Sequence, residues 1–72
     1  MISSISSREE EILYLISIEM NTREIANELY ISMHTVISHR RNLLAKLQAK
    51  NVAGLIRKGF ELGLLQRSMV EA

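Results

Sequence analysis

The run Asn21-Thr22-Arg23-Glu24-Ile25-Ala26-Asn27-Glu28-Leu29-Tyr30-Ile31-Ser32-Met33-His34-Thr35-Val36-Ile37-Ser38-His39-Arg40 holds two helix starts with almost nothing between them. Asn21 followed by Glu24 has the spacing of a capping box, in which the cap side chain takes the backbone N–H three residues on and the glutamate reaches back. Ile25, Ala26 and Leu29 then supply the buried side of a short helix over about 22–29. Only Tyr30-Ile31-Ser32 follows before apolar periodicity resumes with Val36, Leu43, Leu44 and Leu47, and Ser32 is a suitable N-cap. The spacing predicts a longer helix over about 33–47. Two helices joined by so short a turn must cross steeply.

Outward from that pair, the same signals recur. Ser6-Ser7-Arg8-Glu9 is another capping-box sequence, and Ile12, Leu13, Leu15 and Ile16 give the following helix an apolar face, predicting a helix over about 7–18. Asn51 caps a last helix over about 52–62 that carries Val52, Leu55, Ile56 and Phe60, with Gly63 as the residue able to turn left-handed after it. No segment alternates with period two between turn residues, so no strand is expected. The reading is a single all-α domain over 1–72 with four helices, its ends at 1–5 and 66–72 flexible. Met20 and Met33 read as gap-fillers at helix junctions.

The third helix has sides that can be told apart. At about 100° per residue, Val36, Leu43 and Leu47 form the stripe held against the domain, and His34, Ile37, Ser38, Arg41 and Ala45 lie opposite. Thr35, His39, Asn42 and Lys46 occupy a flank, where short donors suit phosphate oxygens on a groove wall. Arg40 leans toward the core stripe, so its stem covers apolar surface while its head reaches for a phosphate. A helix inserted in a groove needs this division: flanks fix register, and the central face reads base edges.

Charge supports that partner. The chain as a whole carries only +1, but residues 1–28 hold six glutamates against Arg8 and Arg23, whereas residues 29–60 hold no acid and carry Arg40, Arg41, Lys46, Lys50, Arg57 and Lys58. A polyanion has one place to dock. Other classes are disfavoured. There is no cysteine, hence no disulfide framework or thiolate metal site, and a reducing cytoplasm is expected. No apolar run approaches the ~20 residues of a membrane span. His34 and His39 stand five apart, about 140° around a helix, and cannot share a metal as an i, i+4 pair does. Glu9-Glu10-Glu11 has no nucleophile beside it, and reads as first-turn charge complementing the helix dipole. Neither an enzyme, a cofactor, a metal nor a small-molecule ligand is expected in this domain.

In combination, Ser7-Arg8-Glu9-Glu10-Glu11-Ile12-Leu13, Asn21-Thr22-Arg23-Glu24-Ile25-Ala26, Ile31-Ser32 through His39-Arg40, Leu44-Ala45-Lys46-Leu47 and Asn51 resemble the LuxR/FixJ/GerE-type helix-turn-helix family over about residues 5–65. The resemblance implies a four-helix domain whose third helix enters the major groove of double-stranded DNA and whose fourth forms a homodimer interface, here Val52, Leu55 and Ile56. It places Ile37, Ser38 and Arg41 at base-contacting positions, joined by outward-facing His34. It places Thr35, His39 and Lys46 on the phosphate backbone, with Thr22, Arg23 and Asn51 at helix starts suited to the same role, and Arg40 beside them.

The chain also departs from the family pattern. Glu19, Tyr30 and Gln48 stand where relatives often carry glycine, and each carries a penalty if its φ is positive. Ile37 stands where a basic residue is common and offers only apolar contact, such as to a thymine methyl. The competing reading is a protein-interaction module that docks a partner on its apolar fourth helix, with DNA binding vestigial.

Overall fold

A computed structural model describes residues 5–70. In chain order it contains α1 (Ser7–Ser17), α2 (Thr22–Leu29), α3 (Met33–Lys46), α4 (Val52–Glu61) and a one-turn α5 (Arg67–Val70), with no strand among the described residues. The first four are the predicted helices. α1, α3 and α4 each stop one residue short of expectation because Ile18, Leu47 and Leu62 are their C-caps. α5 lies in the stretch predicted as a frayed tail, and Ile5, expected in a flexible start, packs half-buried against the core. The rest of the expected flexible ends, residues 1–4 and 71–72, lies outside the described residues.

Each of the four long helices begins as its sequence dictates. Glu9 N–H donates to Ser6 Oγ at 3.1 Å and Ser6 N–H to Glu9 Oε1 at 3.0 Å; the reciprocal pair of Asn21 and Glu24 measures 2.8 Å in both directions. Ser32 Oγ accepts from Thr35 N–H at 3.0 Å and Asn51 Oδ1 from Gly54 N–H at 2.9 Å. A cap of this kind contributes about 1 kcal/mol by satisfying a donor that the helix itself cannot.

The same helices all end on a left-handed residue. After α4 it is Gly63, φ 77°, and Leu64 N–H closes the motif on the Gly59 carbonyl at 2.8 Å. After α1, α2 and α3 it is Glu19 (φ 69°), Tyr30 (φ 57°) and Gln48 (φ 55°), whose successors Met20, Ile31 and Ala49 donate to Leu15, Ala26 and Leu44 at 3.1, 3.0 and 2.9 Å. These are the three positions where glycine was missed in the sequence. The chain keeps the turn geometry that glycine would make easy and accepts a side chain in it, at a steric cost of roughly 1–2 kcal/mol each.

The core lies where α1 crosses α3 and α4. Ile12, Leu13 and Ile16 of α1, Ile25 and Ala26 of α2, Val36, Leu43 and Leu47 of α3, and Leu55 of α4 are buried together. One further member was not anticipated. Leu65, 2% exposed, folds back from the chain after Gly63 onto α4. Gly59 makes room for it: a Cβ there would stand 2.7 Å from Leu65 Cδ1 and 3.3 Å from Leu13 Cδ2.

Among the described residues, one carboxylate is buried with these apolar groups. Glu9, 3% exposed, accepts from Lys46 Nζ at 2.7 Å, joining the first turn of α1 to the last residue of α3. Burial pushes its carboxyl upward, but the Lys46 ammonium and the Ser6 hydrogen bonds outweigh that and hold it below the usual carboxylate value. Glu9 thus caps its own helix and clamps another.

Candidate nucleic-acid interface

α3 packs against α1, α2 and α4, and the side opposite its buried Val36, Leu43 and Leu47 is open. His34, Ile37, Ser38, Arg41 and Ala45 are all exposed, as their spacing predicts. Arg41 extends from the middle of this face and Ile37 stands 42% exposed within it. Met33, read as a junction filler, is also 42% exposed, one turn before Ile37; Met20 does pack against the core. Nothing acidic interrupts the chain from Leu29 to Phe60, so no carboxylate of α3 itself opposes an anion at this face.

The start of α2 lies alongside one flank of that face. Arg40 Nη1 donates to Thr22 Oγ1 at 2.8 Å, and Thr22, Ile37, Arg40, Arg41 and Leu44 line a shallow hollow of about 290 Å³. Four residues expected at DNA are therefore brought together across two helices. The guanidinium has five donors and spends one on Thr22, and the N-terminal backbone of α2 adds a partial positive charge close by. Arg23, next in α2, is exposed.

On the other flank Thr35 is exposed and its hydroxyl stands 2.9 Å from that of the cap Ser32. His39 is half-buried, and its Nδ1 is buried with no hydrogen-bond partner among the described residues. Asn51 is exposed at the start of α4, its Oδ1 engaged in the cap. It shares a polar hollow of about 360 Å³ with Lys50, Arg57, Lys58 and Glu61.

Two expectations change. Lys46, expected on a phosphate, points its ammonium at Glu9, because a carboxylate buried at the α1–α3 junction needs a counter-charge more than a solvated groove wall does. Leu55, expected in a dimer interface, is 0% exposed and belongs to the core of its own chain. The period of a ten-residue helix carrying Val52, Leu55, Ile56 and Phe60 leaves two apolar stripes, and the inner one is Leu55 with Gly59. The outer one is Val52, Ile56 and Phe60; Val52 and Phe60 are exposed and Ile56 is half-buried. Gly59 was the available signal, since a glycine within a helix marks a side of close approach. Glu9 was missed as a clamp because its partner lies 37 residues away.

Among the described residues no helix is long and apolar enough to cross a membrane, and no three His, Cys, Asp or Glu side chains gather as a metal site.

Comparison with known proteins agrees with this geometry. The family model described as bacterial regulatory proteins, luxR family, matches residues 3–58. An uncharacterised response regulatory protein of Escherichia coli, YgeK, is 37% identical over 62 residues, covering 86% of this chain and 42% of that protein. The transcriptional activator protein EsaR of Pantoea stewartii is 43% identical over 61 residues, 85% of this chain and 24% of that protein. The transcriptional regulatory protein FixJ of Rhizobium meliloti is 36% identical over 56 residues, 78% of this chain and 28% of that protein. A crystal structure of the response regulator ChrA from a heme-sensing two-component system superposes with a TM-score of 0.84 at 30% identity, covering 88% of this chain and 31% of that one. The chain thus spans less than half the length of each of these proteins.

Proposed function

From the premise that the chain belongs to the luxR family of bacterial regulatory proteins, we propose that it is a sequence-specific DNA-binding domain of a transcription regulator, with α3 in the major groove. The observation that carries this reading is the open, acid-free face of α3, with His34, Ile37, Ser38 and Arg41 exposed on it. In this arrangement these four meet base edges, and Arg41, with donors in a planar fork, is matched to the O6 and N7 acceptors of guanine. Thr22, Arg23 and Arg40 on one flank, with Thr35, His39 and Asn51 on other helix starts and sides, contact phosphates and fix the register. The Arg40–Thr22 bond holds the guanidinium beside the α2 N-terminus before DNA arrives, so little freedom remains to be lost on binding. The site of action is the cytoplasm.

The domain binds as a homodimer through Val52, Ile56 and Phe60 of α4, with half-sites about one helical turn apart. Support comes from the exposure of Val52 and Phe60 on a chain with a small core. The same exposure suits the rival reading, a protein-interaction module without DNA binding.

The test is a salt titration of duplex binding combined with two variants. Phosphate neutralisation releases counterions, so affinity must fall steeply with salt. Arg41→Ala is expected to reduce discrimination between preferred and random duplexes by roughly 1–3 kcal/mol, whereas Arg23→Ala weakens both alike and lowers the salt slope by about 1. Salt-independent binding, or equal loss on both duplexes for Arg41→Ala, refutes the proposal.

A further inference from the structure

We infer that Met33 and Ile37 together read thymine methyl groups, so that each half-site bound by this domain carries at least one thymine recognised through its C5 methyl. The inference rests on the groove-binding reading above; it adds Met33 as a second reader beside Ile37 and makes thymine a requirement of each half-site.

Met33 is the first residue of α3 and Ile37 follows one turn later, so the two side chains neighbour one another on the helix surface. Both are 42% exposed. A solitary exposed apolar residue needs no explanation, but these two stand one turn apart at the end of the helix that enters a groove first. Their neighbours set what the pair can meet. Arg40 and Arg41 flank Ile37 in the same hollow, with Leu44 behind it, so a polyanion is drawn to the pair while a second protein's apolar surface would have to bury two cations.

Within the major groove the C5 methyl of thymine is the one apolar group that projects from a base edge; cytosine has only a C5–H there, and the other groups are donors or acceptors that an isoleucine or methionine would leave unpaired. One helical turn is about 5.4 Å and a base step about 3.4 Å along a strand, so the two side chains meet adjacent or next-but-one base pairs. The unbranched, polarisable methionine adapts to either spacing. The stiff β-branched Ile37 does not, so Ile37 sets the position and Met33 follows.

The experiment uses the intact chain and a duplex selected from a random pool for tightest binding. Each thymine of that duplex is replaced in turn by uracil, which differs only in lacking the methyl. Loss of one buried methyl is expected to weaken binding about fourfold at one or two thymines in each half-site, with the salt dependence unchanged. In Ile37→Ala the penalty at one of those positions disappears, and in Met33→Ala the penalty at its neighbour does. Both residues are exposed, so neither variant opens the core, and the uracil series on the unaltered chain needs no variant. A selected duplex that binds in a salt-dependent, sequence-specific manner but is indifferent to every uracil overturns the methyl reading and leaves groove binding intact. A uracil penalty that persists in both variants overturns the assignment to Met33 and Ile37. Failure to select any preferred duplex overturns the parent reading and this one with it.

Discussion

Replacing Tyr30 by glycine should stabilise this protein. Tyr30 holds φ 57° and ψ 43° at the turn between α2 and α3, a conformation costing an L-residue roughly 1–2 kcal/mol that glycine does not incur. Glycine gives back about 0.5–1 kcal/mol through the greater freedom of the unfolded chain. The ring contributes nothing to offset the strain, because Tyr30 is 94% exposed. The Ile31 N–H to Ala26 carbonyl bond at 3.0 Å belongs to the backbone and survives. The net gain is about 0–1.5 kcal/mol, and at its midpoint raises the melting temperature of a domain of this size by roughly 3–6 °C. Thermal and urea unfolding followed by far-UV circular dichroism would measure it. Tyr30→Ala is the decisive control: it removes the ring, keeps the left-handed strain, and should change stability by less than about 0.5 kcal/mol. If alanine stabilises as much as glycine, the ring and not φ was the burden. If glycine destabilises, the ring has a contact that its exposure denies.

Three other outcomes follow from buried groups and one outer face. Glu9 binds its proton less tightly when folded than when unfolded, so it contributes stability above the unfolded value near pH 4.5 and loses it as pH falls through the lower folded value. Glu9→Gln should flatten that acid limb and lower stability at neutral pH by about 1–3 kcal/mol, less than a fully buried pair because Lys46 is partly exposed; an unchanged urea midpoint between pH 3 and pH 6 (about the range spanned by the titration) in the unaltered protein would contradict it. Leu65→Ala should cost about 2–4 kcal/mol by opening a void against Gly59 and Leu13, a result that urea denaturation would report and that a free tail would not give. Val52→Glu should leave the helical signal intact and shift the protein to monomer in sedimentation, since Val52 lies on the outer stripe of α4; Leu55→Glu, in contrast, should unfold it.

Local rules carried most of the fold into view. Ser6, Asn21, Ser32 and Asn51 announce helix starts because capping involves residues only three apart, and the open face of α3 follows from its period. Helix ends were legible only in part: Gly63 declares itself, whereas Glu19, Tyr30 and Gln48 adopt positive φ against their own preference, because the crossing of successive helices dictates the turn. Long-range pairing was not legible. Nothing near Glu9 says that its carboxylate is buried until Lys46 arrives from the end of α3. Nothing near Leu65 distinguishes a loose tail from a core plug except the glycine that accepts it. At the candidate site the same limit applied: the family resemblance and a helix start suggested Thr22 for a phosphate and helical period suggested Arg40, but only their meeting across two helices makes them one unit.

The same Glu9 oxygen, Oε1, takes both the Ser6 N–H and the Lys46 ammonium. The start of α1 is therefore tied to the far end of α3 through a single atom. The backbone N–H that opens α1 and the last residue of α3 thus share one carboxylate oxygen, and losing Glu9 would release both at once.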